Sequence, residues 1–310
     1  MRAFVFPGQG AQTIGMGREL AENWPAARAV FAEVDEALGQ NLSALVWEGD
    51  IAELTLTANA QPALMATSLA AIRALEAEGV SVTSAAFVAG HSLGEYSALA
   101  AAGAIGLADT ARLLRIRGAA MQQAVPVGEG AMAALLGLDF ATATDVATEA
   151  AQGQVCQAAN DNDPAQVVVS GHRAAVERAV ELARARGAKR ALLLPVSAPF
   201  HCALMQPAAD AMAEALAAVH IAPPVVPLVA NVRAEAVSDP AMIRALLVEQ
   251  VTGSVRWRES VQWMGAQGVT SFWEVGAGKA LSGMIRRILK EAEVRAIGTQ
   301  ADIVALRPAV

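Results

Sequence analysis

One stretch limits the fold more than any other: Val88–Leu99, VAGHSLGEYSAL. An apolar run leads into Ser92, glycines stand two residues before and two after it, and a helix-forming run follows. A strand that turns into a helix this quickly crowds its own turn. Gly90 and Gly94 relieve the crowding and let the turn present the Ser92 hydroxyl at the end of a sheet. A helix starting just beyond Ser92 aims its first N–H groups and positive dipole end at the same point, which suits a developing oxyanion. The pattern predicts strand–turn–helix and a nucleophilic serine. Taken alone, it also suits an ordinary tight turn.

The flanking sequence repeats the alternation. Arg2–Phe6 reads as a strand and Trp24–Leu38 as a helix. Asn59–Glu78 reads as a helix with Asn59 as N-cap and Pro62 in the first turn. Ala85–Ala89 reads as a buried strand and Leu93–Ala102 as a helix. Such βα units imply a mainly parallel sheet with helices on its faces. Between 126 and 196 the rhythm changes. Ala131–Gly137, Val155–Ala159, Gln166–Ser170 and Arg190–Val196 are strand-like, Thr144–Ala151 and Ala174–Arg186 are helical, and the turn formers NDNDPA join the middle strands. That order, βαββαβ, is the ferredoxin-like unit, and the Pro- and Gly-bearing ends AVPVGEG and LPVSAP suit linkers. The expectation is a larger α/β unit of residues 1–125 and 197–310 with a small domain, 126–196, inserted. Beyond the insert, Met205–Val219, Met242–Gln250, Val255–Ala266 and Lys279–Lys290 read as helices. Val225–Ala230 and Ser271–Val275 read as strands.

Composition narrows the function. With 310 residues, 55% hydrophobic and 17% charged, the chain can bury a large core and does not resemble a disordered one. A net charge of −7 argues against general nucleic-acid binding, which needs a basic face. No apolar window approaches the roughly 18 residues of a membrane span. The first apolar run, in MRAFVFPGQG, is about four residues long, too short for a signal-peptide core. Cys156 and Cys202 are too few for a disulfide framework and read as reduced thiols of a cytoplasmic protein. No Cys/His spacing suggests a metal site.

A serine hydroxyl needs a base to become a nucleophile at neutral pH. Of the four histidines, His91 adjoins Ser92 and should point away from it on an elbow. His172 reads as a loop residue of the insert, and His220 ends an Ala-rich helix. His201, in VSAPFHCALM at the junction between insert and core, is the best general-base candidate.

Five segments, VFPGQG (5–10), GHSLGEYSAL (90–99), IRG (116–118), APFHCALM (198–205) and EVGAGKALSGMI (274–285), occur in this order. Together they resemble the malonyl-CoA:acyl carrier protein transacylase family, the acyltransferases of type II fatty acid synthesis, over essentially the whole chain. Ala277 stands where the family commonly has Pro. The resemblance implies an α/β-hydrolase-like core with an inserted ferredoxin-like subdomain, Ser92 as acyl acceptor and His201 as its base. It implies that a glutamine, matched by Gln250, and a nearby backbone carbonyl hold the histidine in place of a triad aspartate. Gln9 and the Leu93 N–H resemble the oxyanion hole.

From pattern alone, Arg117 in ARLLRIRGAAM reads as a surface residue. The resemblance makes it the grip on the free malonyl carboxylate, a role a two-pronged guanidinium suits. Phe200 precedes the histidine as in many malonyl-selective acyltransferases of polyketide synthases, where a bulky ring excludes a methyl branch. Asn160 and Asn162 resemble a loop lining the cleft between subdomains. The implied reaction is ping-pong transfer through a malonyl-serine, with no metal or redox cofactor. The expected partners are malonyl-CoA and acyl carrier protein, an acidic protein for which Lys189, Arg190, Arg286 and Arg287 are candidate contacts, and the expected state is a monomer. Three alternatives stay open: a discrete malonyl acyltransferase serving a polyketide synthase, a serine esterase or thioesterase, and a non-catalytic docking protein. A hydrolase would need an acid to orient His201, and Asp139, Asp161 and Asp163 lie between the serine and the histidine in sequence.

Overall fold

A computed structural model describes residues 1–307; the last three positions of the 197–310 segment lie outside the described residues. Among the described residues ten strands follow one another: β1 (Arg2–Phe6), β2 (Phe87–Gly90), β3 (Gly130–Leu136), β4 (Cys156–Asp163), β5 (Gln166–His172), β6 (Arg190–Leu193), β7 (Leu228–Val229), β8 (Ala236–Val237), β9 (Ser271–Val275) and β10 (Glu293–Ile297). The longer helices are α1 (Pro25–Leu38), α2 (Thr57–Ala77), α3 (Gly94–Ala101), α4 (Leu107–Gln123), α5 (Phe140–Ala151), α6 (Arg173–Ala185), α7 (Gln206–Ala217), α8 (Pro240–Thr252), α9 (Trp257–Ala266) and α10 (Ala280–Ile288).

Six strands form one sheet in the order β10-β9-β1-β2-β7-β8. All its neighbours run parallel except β7 and β8. A parallel sheet is covered on both faces, so its central strands are mostly apolar. Alternation along β1 shows this: Phe4 and Phe6 face the layer that holds α1, α2, α4 and α7, while Ala3 and Val5 face α9 and α10. The other four strands form an antiparallel sheet in the order β4-β5-β3-β6. One face carries α5 and α6, with Ala133, Leu135, Val167 and Val169 packed on Val146, Val176 and Val180. The opposite face presents Met132 and Val168 to Leu194, Val196 and Phe200. The fold is thus α/β with a mostly parallel six-stranded sheet and a separate four-stranded antiparallel sheet.

The structure corrects three local expectations. Asn59 does not cap α2: the helix begins at Thr57, and Asn59 instead donates to Glu53 O and accepts from Arg115. Pro62 therefore lies beyond the first turn. The start of α2 is set by tertiary packing, since α4 crosses it at Gly118, where a Cβ would lie 2.5 Å from Thr57 O. NDNDPA is mostly strand: β4 runs through Asp163, with bulges at Ala158/Asn160 and Asp161/Asp163. Finally, Val255 precedes α9 and bridges to Asn160, accepting from Asp161 N–H and donating to Ala159 O.

These last contacts fasten the small sheet to the large one. Side chains alternate along β4, with Asn160 and Asn162 facing the space between the sheets. Asp161 and Asp163 turn the other way, onto α9 and α10. Buried Asp161 takes both carboxylate oxygens to Arg258 Nε at 3.0 Å, and buried Asp163 accepts from Arg287 Nε at 2.7 Å. Arg258 Nη2 also approaches Asp161 Oδ2 at 2.8 Å, and charge-assisted hydrogen bonds of this kind are directional enough to hold a seam in one position. Removing one partner of a buried pair strands the other charge. Arg258→Ala is therefore expected to lower unfolding free energy by about 3 kcal/mol, and Arg287→Ala by less, because the Arg287 side chain is 52% exposed. Urea midpoints measure both. Losses under about 1 kcal/mol for each, as for surface pairs, would show that the seam rests on other contacts.

Candidate active site

The carboxyl ends of β1, β2 and β9 open toward the uncovered face of the small sheet, and a cavity of about 610 Å³ lies between them. Ligands of open α/β sheets bind at such strand ends, and the volume suits a small-molecule ligand. Gln9, Ser92, Leu93, Arg117, Asn160, Asn162, Phe200 and His201 all line it.

Ser92 sits between β2 and α3 with φ +55°, a left-handed conformation that non-glycine residues rarely adopt and that carries strain. The glycines that bracket it are sterically required. A Cβ on Gly90 would lie 1.9 Å from Gly94 C, and one on Gly94 would lie 2.2 Å from Phe6 O. The Ser92 hydroxyl lies 2.8 Å from His201 Nε2, and His201 is itself left-handed at φ +57°.

His201 Nδ1 lies 2.9 Å from the main-chain oxygen of Gln250. A carbonyl only accepts, so Nδ1 carries the hydrogen and Nε2 presents its lone pair to the serine hydroxyl. Gln250 belongs to the last turn of α8, whose carbonyls have no partner within the helix. The expected glutamine and the expected backbone carbonyl are thus one residue. The Gln250 side chain does not touch the imidazole. It accepts from Arg117 Nη2 at 2.8 Å and donates to Glu95 at 2.9 Å and to Ser92 O at 3.0 Å.

Arg117 is 1% exposed, the reverse of the surface arginine that its sequence pattern alone suggests. Its Nη1 donates to Gln61 at 2.8 Å, and its Nη2 also donates to Ser92 Oγ at 3.1 Å. Buried Nε has no partner among the described residues. The guanidinium therefore lines the cavity beside the serine with donor capacity left over. Its charge acts on its neighbours. Burial, and then repulsion from Arg117, push His201 down to about 3, so the imidazole is neutral and able to accept a proton. Burial pushes Glu95 up to about 7 against the hydrogen bonds from Gln250 and Asn231.

The remaining candidates occupy the walls. Leu93 caps α3, and its N–H precedes the first intrahelical bond. Gln9 lies in the loop after β1, with its side-chain amide donating to Thr57 Oγ1 at 3.3 Å. Asn162 accepts from His91 Nε2 at 2.8 Å across the seam. Phe200 packs beside Met132 and Val168. Of the basic candidates, Lys189 and Arg190 are exposed, Arg286 donates to Val294 O, and Arg287 is engaged with Asp163. The three aspartates considered for a triad are occupied elsewhere: Asp139 caps α5, and the other two hold the seam. Sequence reasoning missed Gln61, Glu95 and Asn231. Gln61 and Asn231 stand out as polar residues in mainly apolar runs, whereas Glu95, in GHSLGEYSAL, carries no such signal.

The charge arrangement has a kinetic consequence. Removing a cation beside His201 raises its pKa. The acid limb of serine acylation is expected below the ordinary histidine range in the parent protein and at higher pH in Arg117→Gln. Single-turnover acylation rates across pH read this. A parent limb at the usual histidine value, unmoved by the substitution, would contradict the electrostatic coupling.

The chain matches the acyl transferase domain family over residues 3–305. It is 48% identical to the malonyl CoA-acyl carrier protein transacylase of Salmonella typhimurium, covering 98% of this chain and 97% of that one. The crystal structure of an acyl-carrier-protein-S-malonyltransferase from Bartonella henselae superposes with a TM-score of 0.96 at 58% identity, over 98% of this chain and 97% of that one. A malonyl-transacylase solved in complex with its type II polyketide-synthase acyl carrier protein superposes with a TM-score of 0.95 at 43% identity, over 99% and 98% of the two chains.

Proposed function

The chain belongs to the acyl transferase domain family, and from that membership and the site we infer that it moves malonyl groups from malonyl-CoA to acyl carrier protein, the loading reaction of fatty acid biosynthesis. The observation that carries the substrate choice is Arg117: a buried guanidinium with donors to spare, hydrogen-bonded to the same hydroxyl that His201 faces. A substrate with a free carboxylate next to its thioester satisfies both demands.

The reaction proceeds in two halves. His201 Nε2 takes the hydroxyl proton as Ser92 Oγ attacks the thioester carbonyl, and the C–S bond breaks from the tetrahedral intermediate. The CoA sulfur leaves with the proton returned by His201. Gln9 and the Leu93 N–H stabilise the oxyanion. The malonyl ester on Ser92 keeps its carboxylate against Arg117 until the carrier's phosphopantetheine thiol attacks, its proton passing to His201. As the second tetrahedral intermediate collapses, the C–O bond to Ser92 breaks and His201 returns the proton to Oγ, restoring the hydroxyl and releasing the malonyl thioester of the carrier. Asn160 and Asn162 contact the substrate from the cavity wall they share, and the Phe200 ring restricts branching at the acyl carbon.

The reading also covers organisation and docking. Residues 126–196 form the inserted subdomain and the described residues of 1–125 and 197–307 the core, which the separate sheet with its own α5/α6 core supports. Exposed Arg190 begins β6, with exposed Lys189 just before it, at the end of the small sheet that holds Gln166, a cavity residue. They suit an acidic carrier better than Arg287, whose charge is already engaged. Among the described residues no helix is long and apolar enough to cross a membrane.

Arg117→Ala tests the substrate assignment. The malonyl-over-acetyl preference in loading Ser92 is expected to fall about 100-fold or more, the scale for losing one partner of a buried charge pair; an unchanged preference removes Arg117 from the role. Charge reversal at Lys189 and Arg190 is expected to raise KM for the carrier and leave that for malonyl-CoA unchanged. Equal effects on both would rule out docking there. Rapid loss of the acyl group to water without carrier would favour a hydrolase.

A further inference from the structure

β2 stops pairing with β7 at Ala89–Val229, yet the chain beyond it is held as though the ladder continued. Carrying that register two residues on places His91 opposite Asn231. In a parallel ladder, one residue answers the C=O before and the N–H after the residue it faces. Asn231 does this with its side chain. Its Nδ2 donates to Gly90 O at 2.7 Å and its Oδ1 accepts from Ser92 N–H at 2.8 Å. The primary amide has one donor edge and one acceptor edge, and it stands where a peptide group would.

Asn231 is itself fixed on every side. It is 1% exposed. Its main-chain N–H donates to Glu95 Oε2 at 3.0 Å and its main-chain oxygen accepts from Arg256 N–H at 3.0 Å. Glu95 in turn accepts from Gln250 Nε2, and Gln250 carries both the carbonyl that orients His201 and the oxygen that Arg117 reaches. One buried network therefore ties the serine's peptide, the base and the cation together.

We propose that Asn231 is the positioning residue of the nucleophile: its amide locks the Ser92 peptide in the left-handed conformation by replacing the next rung of the β2–β7 ladder. The same bond occupies the Ser92 N–H, so the Leu93 N–H is the elbow amide that faces the oxyanion. The inference rests on Ser92 being the acylated residue. It assigns Asn231 no contact with substrate.

The test compares Asn231→Ala and Asn231→Asp with the parent, following malonyl transfer from malonyl-CoA to Ser92 by intact-protein mass spectrometry in single-turnover mode. Asn231→Ala removes both bonds, and acylation is expected to slow roughly 100-fold, the scale for a small misplacement of a reacting group, with KM for malonyl-CoA little changed. Asn231→Asp keeps the shape but loses the donor when ionised and sets a second carboxylate beside Glu95. Once protonated it regains one donor and one acceptor, so its rate relative to the parent is expected to rise as pH falls. The ratio is the readout because Glu95, His201, Arg117 and Arg256 surround the position in both proteins. Thermal melting identifies any variant that fails to fold; should Asn231→Ala be one, Asn231→Asp carries the test. Parent-like acylation in either folded variant, or a ratio flat with pH, would overturn the positioning role. A parent protein that gains no malonyl group would overturn the transacylation reading itself.

Discussion

A cation buried without an adjacent anion governs this site. Taking a guanidinium out of water costs several kcal/mol unless its surroundings compensate. Here the partners of Arg117 are neutral: Gln61, Gln250 and the Ser92 hydroxyl. The nearest link to a carboxylate is indirect, through Gln250 to Glu95, and burial works against ionisation of Glu95. Arg117 thus has no directly paired anion, and under the proposed function the substrate's own carboxylate supplies one. The same cation helps keep His201 unprotonated, ready to act as base before substrate arrives. Under the proposed function, substrate choice and nucleophile activation share one physical origin.

The fold concentrates these groups by bringing distant segments to one set of strand ends. Ser92 comes from the turn after β2, His201 from the crossing back out of the small sheet, Arg117 from α4 and the orienting carbonyl from the end of α8. None of these positions is local to another, and each is fixed by packing against an element that is buried or tied down. Gly118 lets α4 press against α2, which sets Arg117 beside Gln61. The alternation of β4 does the equivalent across the seam, with asparagines toward the cavity and aspartates into the arginines of α9 and α10.

Much of this was legible in the chain because the elbow is a local steric problem. Only glycine fits at 90 and 94, so the strand, the turn and the helix can be read together. The βαββαβ order was legible for a similar reason, since each strand carries its own alternation. What could not be read was anything decided by tertiary contact. NDNDPA looks like a turn because its residues favour turns, but β4 continues through it where the Val255 bridge and two arginines hold it extended. Arg117 falls on the same helix face as Leu113, Leu114 and Met121, yet a lone arginine on an apolar face reads as a surface residue because the neutral partners that accept its hydrogen bonds come from other segments. The division of labour within Gln250 was hidden for a simpler reason, because a sequence names a residue without saying whether its main chain or its side chain is used.

The central claim is that a negative charge on the substrate completes the site. Loading of Ser92 from malonyl-CoA against acetoacetyl-CoA tests it most directly, because the second acyl group has nearly the same shape with a methyl ketone in place of the carboxylate. Acylation from malonyl-CoA is expected to be about 100-fold faster or more, as for a buried charge left unpaired. Equal rates for the two thioesters would contradict the account.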